Sequence, residues 1–419
     1  MPAANAVTTP VHGGLDRPVD RIDSSAADGA ASLAKIDVHE VDRTTLYRVA
    51  DGTLSPLEGP MARADYDSVL GAKAIERGGK KWAWTIPIIL PVTDAEAGAC
   101  ADGAKVALAF EGEVFGVLEV DGGAFDWDKA AFIEAVYGTD RTDHPGAQLW
   151  TSDERTKVVG GRITLVPETD ARPFASRVMG PSQTRKLIEE RGWEQSIAFQ
   201  TRNPLHRAHE YALVYGAEVI LRDTGKKTGV VLNPLVGQLK GDDVPASTRM
   251  DTYEALVTNR LLGDGDKDEE LWSSNGQDLN DQLELIGLDM RMYYGGPSEA
   301  VMHAIYRQNL GFTHFIIGRK HADAPYFDKS AIWGDFDAQE IFDKLGGDLA
   351  IQTVNVGFAA YFEELGRVGL MEANKDKTSV FISGTKVREQ LVGGEFPDPR
   401  IMRETTAKIL VDYYKAKNA

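Results

Sequence analysis

The feature that most constrains the fold of this chain is a regular alternation of strand-like and helix-like segments in its second half. Short apolar runs, SIAF, TGVVLN, MRMYYG and HFIIG, alternate with longer segments whose apolar residues return at helical spacing, such as LHRAHEYALVYGAEVIL and STRMDTYEALVTNRLL. Because parallel strands need crossover helices between them, this rhythm predicts a parallel sheet with helices on its faces. Such sheets bind ligands beyond the carboxyl ends of their strands, where the strand order reverses.

The remaining segments divide around this alternating region. Residues 1–35 are rich in Ala, Gly, Asp and Pro, which predicts an irregular amino-terminal arm. The runs WTIPIILPV, KVALAFE and EVFGVLEVDG, separated by turn residues, predict a compact β-rich domain over residues 36–175. The alternating region then covers 176–357, and a last region, 358–419, closes with a helix. We expect the acidic stretch 263–289 to be an exposed loop or flap.

The charge of the chain limits its partners. The 419 residues include 46 Lys and Arg against 64 Asp and Glu, which gives a net charge of −18. A molecule of this charge repels polyanions, so we expect no nucleic-acid partner. A small anionic substrate would need a local basic site working against the overall field. Arg202 and Arg207, five positions apart in one motif, are candidates for such a basic site.

Cysteine content and the amino terminus indicate a cytoplasmic protein. Cys100 is the sole cysteine, which excludes an intramolecular disulfide and a zinc site built from cysteines. The first twenty residues lack the apolar core of a signal peptide. No stretch approaches the ~18 apolar residues of a membrane span, so we expect no membrane partner.

The motif FQTRNPLHRAHE, residues 199–210, follows the predicted strand SIAF and is a candidate ligand site. Zinc is disfavoured, because the familiar helical motif spaces its histidines at i and i+4, whereas His206 and His209 stand at i and i+3 with Arg207 between them. A partly buried structural histidine pair remains an alternative. The location favours an anion site, because a helix that begins at a strand's carboxyl end directs its positive dipole end into the crevice.

This motif resembles known enzymes. A strand followed by T-x-N-P-x-H-x-x-H is similar to the signature of the HxGH nucleotidylyltransferase superfamily, and the full QTRNPLHRAHE resembles the ATP sulfurylase (sulfate adenylyltransferase) family. WTIPIILPV, EVFGVLEV, TDHPGA, NPLVGQLKGDD, YGGPSEAVMHAIYRQNLGFTHFIIGRKHADAP and FISGTKVREQL agree, so the resemblance runs from about residue 60 to the end. It implies an α/β protein with a β-rich PUA-like amino-terminal domain, a Rossmann-like catalytic domain and a small α/β carboxyl-terminal domain that closes over the site.

The resemblance also implies substrates and partners. The expected reaction converts ATP, carried with Mg²⁺, and sulfate into adenosine 5′-phosphosulfate and pyrophosphate, with no protein-bound zinc. A homo-oligomer is expected, with a dimer favoured. Some family members continue into an adenylylsulfate kinase domain, and we expect that activity to be absent here.

Site residues follow from the resemblance, position by position. The catalytic set is Thr201, Arg202, Asn203, His206 and His209. Sulfate would be bound by Gln200, Arg202, Arg319 and the backbone N–H of Ala322. ATP would contact Gln200, Thr201, Arg202, Asn203, His206, His209, Gly318, Arg319, Lys320, His321, Phe358, Ala359, Ser383, Thr385 and Arg388.

Several alternatives stay open on the sequence. GRKHADAP could be a plain surface turn, and Ser383 and Thr385 could simply cap a helix. His303 lies off the apolar stripe of its predicted helix, which indicates a structural or solvated residue. The function could instead be adenylyl transfer to a phosphorylated sugar or pantetheine, or nucleotide binding by a catalytically idle regulator.

Departures from the family pattern concern the direction of the reaction. Lys320 stands where relatives commonly carry an acid, Gln238-Leu239-Lys240-Gly241 replaces Met-Thr-Lys-Pro, and the acidic stretch 263–289 is longer than usual. These features resemble the dissimilatory enzymes of sulfur-oxidising bacteria. The reaction could therefore run toward ATP in the cell, and the sequence leaves the direction open.

Overall fold

A computed structural model describes residues 6–169, 174–237, 244–381 and 384–418, which form three consecutive parts. The predicted Gln238–Gly241 departure and Ser383 lie outside the described residues. Among the helices that the described ranges contain, none has the length and apolar character needed to cross a membrane.

The amino-terminal part is β-rich, as predicted. Its main sheet has the order β1-β5-β6-β9, in which β1 pairs parallel with β5 and the other pairs are antiparallel. Glu111 and Gly112 join β5 to β6 with positive φ at both residues, as a tight two-residue hairpin requires. The elements are β1 (Lys35–Asp37), α1 (Glu40–Ala50), α2 (Arg63–Ala72), β2 (Ala74–Arg77), β3 (Lys80–Ala83), β4 (Leu90–Val92), α3 (Asp94–Ala97), β5 (Lys105–Phe110), β6 (Glu113–Val120), β7 (Phe125–Asp126), α4 (Lys129–Tyr137), α5 (Pro145–Thr151), β8 (Lys157–Val159) and β9 (Gly161–Leu165).

Residues 6–34 form no α-helix and no strand, but they pack against the body of the protein. His12 is fully buried, its backbone N–H donates to Asn309 Oδ1 at 3.0 Å, and its ring Nε2 lies 2.9 Å from the Ala83 carbonyl oxygen. The irregular lead-in therefore fastens the β-rich part to the helix that carries Asn309.

The second part is built on a five-stranded parallel sheet with the order β12-β11-β10-β13-β14. The chain moves outward from β10 to β11 and β12, then returns to the other side of β10 for β13 and β14, so the order reverses between β10 and β13. The predicted parallel sheet is confirmed. The elements are α6 (Pro181–Arg191), β10 (Gln195–Thr201), α7 (Arg207–Thr224), β11 (Thr228–Pro234), α8 (Ala246–Thr258), α9 (Glu269–Ser274), β12 (Leu283–Leu285), α10 (Gly296–Asn309), β13 (His314–Ile317), α11 (Asp337–Glu340) and β14 (Gln352–Asn355).

The acidic stretch 263–289 was predicted wrongly as an exposed loop or flap. It contains α9 and supplies the edge strand β12, while MRMYYG, predicted as a strand, is buried without strand pairing. Trp272 and Leu279 are fully buried against the sheet's core. Although charged residues dominate the stretch, it also contains a few large apolar side chains. Burial of these side chains decides where the stretch lies.

The third part places a small antiparallel sheet of order β16-β15-β17 and two helices against the second part. Val387 and Leu391 of the first helix pack on Leu410 and Val411 of the second, and this last helix lies against α8. The elements are β15 (Ala359–Phe362), β16 (Arg367–Leu370), β17 (Ser379–Val380), α12 (Gly384–Val392) and α13 (Glu404–Asn418).

Candidate active site

The two predicted site loops meet at the reversal point of the parallel sheet. β10 pairs with β13 in the register Ile197 to His314 and Ala198 to Phe315, so both strands end at the same edge. The loop that starts at Gln200 and the loop that starts at Gly318 therefore emerge side by side. This juxtaposition is the ligand crevice that the strand order predicts.

A cavity of about 560 Å³ lies between this edge and the third part of the chain. Seven of the predicted ATP-contacting residues line it: Asn203, His206, His209, Arg319, Ala359, Thr385 and Arg388. The opposite wall comes from residues that the sequence did not single out, Val387, Leu391, Arg400, Met402, Leu410 and Tyr414. Motifs far apart in the chain thus share one cavity.

His206 and His209 form a stacked pair at the start of α7. Their ring centroids are 3.7 Å apart with planes inclined by 16°. His206 is the helix N-cap, and its Nδ1 accepts the backbone N–H of His209 at 3.3 Å. Since that nitrogen accepts, the proton of neutral His206 is on Nε2. His209 Nδ1 is buried and finds no hydrogen-bond partner among the described residues.

Both imidazoles are held neutral. Burial lowers the pKa of His206 to about 4. Burial first, and then the neighbouring His206, lower the pKa of His209 well below its ordinary value. A stacked pair cannot readily take two positive charges, so near neutral pH the pair offers N–H donors and lone pairs without net charge.

The helix start is less open than the sequence suggested. The backbone N–H of Arg207 donates to the Ile401 carbonyl oxygen at 2.8 Å, so one of the first helix donors is used by the third part of the chain. The Arg207 side chain forms a bidentate pair with Asp266, which is fully buried, at 2.9 and 2.6 Å. Our interpretation of Arg207 as part of a basic anion site was wrong, because a carboxylate from the acidic stretch neutralises it.

Arg202 connects the two strand-end loops. Its Nη2 donates to the Asp323 carbonyl oxygen at 3.3 Å, and its guanidinium lies over the Tyr294 ring at 5.2 Å. The loop that carries Asp323 has positive φ at Lys320 and Ala322, which is uncommon for residues other than glycine. Such strained positions concentrate at functional sites. GRKHADAP is therefore a specifically shaped loop and not a plain surface turn.

Arg319 lies at the edge of the cavity between an aromatic face and a carboxylate. Its guanidinium is 4.2 Å from the centroid of the exposed Phe358 ring, and its Nη1 is 3.3 Å from Asp335 Oδ1. Lys320 Nζ is 3.6 Å from the same carboxylate oxygen. One acidic group is thus shared by two cations, both more than a third exposed.

The remaining predicted site residues lie outside the cavity or shape the loops next to it. The Thr201 hydroxyl donates to the Asn203 carbonyl oxygen at 3.0 Å and accepts the Asn203 backbone N–H at 3.2 Å, so it shapes the turn. Gly318 follows β13 directly. The residues predicted for the sulfate side, Gln200, Arg202 and Ala322, are not among those lining the cavity; they lie around the joint between β10 and β13.

The sequence interpretation missed that His303 contacts both strand-end loops. His303 was interpreted as structural or solvated, and it is indeed buried, but its ring Nδ1 lies 2.9 Å from His321 Nε2. Its Nε2 lies 3.3 Å from Gln200 Nε2 and 3.3 Å from Glu299 Oε1. The sequence did offer a signal: His303 is a polar residue that lies off the apolar stripe of its helix. Because the structure buries this helix on every side, such a residue needs polar partners.

Glu299 is a buried carboxyl group beneath the same loops. It accepts the backbone N–H groups of Tyr293 at 2.8 Å and Gly295 at 3.0 Å. Burial raises its pKa to about 7, against the opposing effect of those two hydrogen bonds and of the nearby His321 and Arg202.

Comparison with known proteins identifies the chain. A family model described as ATP-sulfurylase matches residues 176–413, more than half of the chain. The chain belongs to the ATP-sulfurylase family. A model described as a PUA-like domain matches residues 10–168.

Relatives in this family are similar over nearly the whole chain. A protein of Pyropia yezoensis named sulfate adenylyltransferase is 65% identical over 416 residues, 99% of each chain. One of the same name from Synechococcus sp. (strain JA-3-3Ab) is 34% identical over 381 residues, 90% of this chain and 88% of that one. A solved structure described as hexameric APS kinase from Thiobacillus denitrificans has a TM-score of 0.68 at 19% identity, covering 96% of this chain and 68% of that one, and shows the fold alone.

These comparisons confirm the family, the fold class and the enzyme class, a nucleotidyltransferase of sulfur metabolism, that the sequence predicted. The domain boundaries at 35, 175 and 357 stay predictions, as do the roles of the individual site residues. Whether an ATP-sulfurylase family member of this kind runs toward ATP also stays a prediction.

Proposed function

We propose that this ATP-sulfurylase family member transfers the adenylyl group of MgATP to sulfate, using the two strand-end loops for sulfate and the histidine pair for the phosphates. The observation that carries the proposal is that Arg319, His206 and His209 line one cavity at the point where the sheet order reverses. The same site accelerates both directions, so the reverse reaction makes ATP from adenosine 5′-phosphosulfate and pyrophosphate.

The chemistry needs donors and not a base. An oxygen of sulfate attacks the α-phosphorus, the bond from that phosphorus to the oxygen bridging to the β-phosphate breaks, and the electron pair leaves with pyrophosphate. Sulfate is already deprotonated at neutral pH, so no proton has to be removed from it. Catalysis then depends on orientation and on stabilising negative charge on the phosphates.

The sulfate ion is proposed to lie between Arg202 and Arg319, with Gln200 and the N–H of Ala322 as further donors. Arginine's planar fork matches two oxygens of a tetrahedral anion. The bond from Arg202 to the Asp323 carbonyl oxygen supports this, because it holds a guanidinium from one loop against the other. Left-handed backbone at Ala322 supports a specifically directed N–H there.

The phosphates are proposed to contact His206 and His209. The Nε2–H that the N-cap bond leaves on His206, and the buried unpartnered Nδ1 of His209, are the groups available to nucleotide oxygens. Neutral donors suit the α-phosphate, because they stabilise the charge that develops there without binding the ground state too tightly.

The remaining ATP contacts are proposed around the same cavity. Ala359, Thr385 and Arg388 line it, which supports a place for the nucleotide between β15 and α12. The Phe358 ring packs against the Arg319 guanidinium. The further proposed contacts are Thr201, Asn203, Gly318, Lys320, His321 and Ser383.

Magnesium is proposed to enter with ATP as part of the substrate. Among the described residues that line the cavity there is no Asp and no Glu, which fits a metal held by the nucleotide's own phosphates. Among the residues that the structure describes, no three His, Cys, Asp or Glu are grouped to hold a metal ion. The expected absence of zinc is tested by metal analysis of the purified protein.

We also propose a cytoplasmic homodimer. A single buried cysteine, Cys100, fits a reducing compartment. Light scattering of the purified protein measures the oligomeric state, and a monomer or a larger assembly would contradict the dimer.

The experiment that tests the function is isotopic exchange of pyrophosphate into ATP, with and without sulfate. We expect exchange that requires both Mg²⁺ and sulfate. Equal exchange without sulfate would refute this acceptor. Exchange that needs a phosphorylated sugar or pantetheine would favour another acceptor, and nucleotide binding without exchange would favour an idle regulator.

A further inference from the structure

Four polar side chains at the two strand-end loops, Glu299, His303, His321 and Gln200, form a continuous chain of contacts, of which Glu299 and His303 are buried. Glu299 and His303 are one turn apart on α10, and both are essentially inaccessible to solvent, at 0% and 1% exposed. His303 reaches His321 in the loop after β13 and Gln200 at the end of β10. One helix residue therefore touches both of the loops between which sulfate is proposed to bind.

The hydrogen bonds fix the protonation pattern of this chain. Glu299 accepts one backbone N–H group on each oxygen, so in its ionised form it is only an acceptor and the facing His303 Nε2 carries the proton. His303 Nδ1 is then the acceptor, and it receives the Nε2–H of His321 at 2.9 Å. Each ring orients the next one, in the way that an outer-shell carboxylate orients a histidine.

The orientation of the Gln200 amide follows from the same assignment of hydrogen-bond donors and acceptors. Its Nε2 stands 3.3 Å from His303 Nε2, which would set two donors against each other, while its buried Oε1 has no hydrogen-bond partner among the described residues. Exchanging the two atoms removes the first fault, since the amide oxygen then accepts from His303. The NH₂ group then occupies the buried position, where the described residues supply no acceptor, which calls for an acceptor from a ligand.

We propose that His303, oriented by Glu299, is a positioning residue that holds His321 and Gln200 in the geometry that binds sulfate. The inference rests on the proposed function, because sulfate is the acceptor that the Gln200 amide would meet. His303 itself lies beneath the loops and does not contact substrate.

Charged groups around this chain are compatible with a neutral His303. Arg307 follows one turn later on α10, is buried, and donates to the His303 carbonyl oxygen at 3.2 Å. Burial and this cation lower the pKa of His303 well below its ordinary value. Arg202 acts against the burial that raises the pKa of Glu299, and burial first, then charges that include Glu299, raise the pKa values of Tyr137, Tyr293 and Tyr306.

The test uses three substitutions at one position. His303→Phe keeps an aromatic ring but removes the polar contacts with Glu299, His321 and Gln200. His303→Asn retains a polar group near Nδ1, which serves His321, and His303→Gln retains one near Nε2, which serves Gln200. His314→Phe is the matched control, because His314 is a buried histidine at the start of β13, away from both loops.

The measurements are the KM values for sulfate and for ATP, with kcat, from sulfate-dependent pyrophosphate exchange, and the thermal midpoint of each variant. We expect His303→Phe to raise the KM for sulfate about tenfold or more, as for a lost hydrogen bond to a buried partner, with a smaller rise in the KM for ATP, of which His321 is a proposed contact. His303→Asn and His303→Gln should each recover part of the loss. His314→Phe should lower the thermal midpoint without moving the KM for sulfate.

The outcomes separate this inference from the proposed function. If the wild-type enzyme shows no sulfate dependence, the proposed function fails. If the wild type does depend on sulfate and His303→Phe leaves its KM unchanged, or raises both KM values equally, the positioning role is refuted while the function stands. A His303→Phe variant that does not fold leaves the decision to the two polar variants, which must raise the KM for sulfate more than the KM for ATP.

Discussion

Removal of Arg403 tests how the third part of the chain is fastened over the histidine pair. Arg403 precedes α13, and its Nε donates to Glu210 Oε2 at 2.7 Å. Glu210 directly follows His209 on α7 and is 0% exposed, while Arg403 is 12% exposed. The ion pair therefore joins the carboxyl-terminal part to the helix that begins at the histidine pair.

The magnitude follows from the burial of both partners. Breaking a buried ion pair by removing one partner costs about 3–5 kcal/mol, because the other charge is left uncompensated. Glu210 keeps one donor, the Gly263 backbone N–H at 3.2 Å, so the lower end of this range applies. We expect Arg403→Met to lower the free energy of unfolding by about 3 kcal/mol near pH 8.

The effect depends on pH in a definite direction. Burial already raises the pKa of Glu210 above its ordinary 4.5, against the opposing effect of Arg403. Without Arg403 the folded-state pKa rises further. A raised carboxyl pKa costs nothing below the unfolded pKa and its full penalty above the folded pKa, so stability is lost as pH rises through that window. The loss should therefore be smaller near pH 5 than near pH 8.

The assay is urea unfolding followed by tryptophan fluorescence at both pH values. Glu210→Gln combined with Arg403→Met removes the stranded charge and should recover about 2 kcal/mol at the higher pH. Arg222→Met is the matched control, because Arg222 pairs with Asp268 from the exposed side of the same helix at 3.7 Å and should cost under about 0.5 kcal/mol. Equal losses for Arg403→Met and Arg222→Met, or a loss that grows toward acid pH, would refute the reasoning.

Three further predictions concern the loops themselves. His209→Ala should lower kcat about 100-fold or more while the thermal midpoint stays near that of the wild type, and a variant that is active but unstable would favour a purely structural histidine pair. Burial lowers the pKa of His206 from 6.5 to about 4, so the stability that depends on its neutral form is complete above 6.5 and lost as pH falls toward 4. A thermal-midpoint series should show this acid loss reduced in His206→Gln, and parallel curves would contradict it. Lys320→Asp should raise the KM for sulfate a few-fold at low salt, because a second carboxylate beside Asp335 competes for Arg319; no change at any salt concentration would show that Lys320 serves only the solvent.

Chain order alone located the site, because strand ends in a parallel sheet share one edge. SIAF and HFIIG were both predicted strands, and their adjacent ends, Gln200 and Gly318, form the crevice. That inference needs only the local periodicity of the sequence and a general rule of sheet topology.

Partners of charged residues could not be predicted in the same way. Arg207 looked available because its partner, Asp266, lies in a stretch that composition describes as a solvated loop. The stretch is held instead by Trp272 and Leu279, which are buried. Pairing and burial of this kind are decided by long-range packing, which local periodicity does not contain.

The apolar stripe of α10 misled in a related way. Stripe analysis assumes that one face of a helix meets a core and the other meets water. Both faces of α10 are buried, so His303 could not be solvated and had to find polar partners. Its partners come from two loops that only the folded sheet brings together.

Arg207 and Arg319, one from each of the two predicted site motifs, illustrate why charge alone does not define an anion site. Arg207 is bound by a fully buried carboxylate with two short bonds, and sulfate could displace that carboxylate only by leaving it uncompensated in the interior. Arg319 is 38% exposed and faces a carboxylate that is 42% exposed at 3.3 Å, a pair of the kind worth about 1 kcal/mol or less. A dianion can replace Asp335 at Arg319 and return that carboxylate to water at little cost. In a chain of net charge −18, we therefore propose that Arg319, whose resident partner is weakly held, is the arginine that binds substrate.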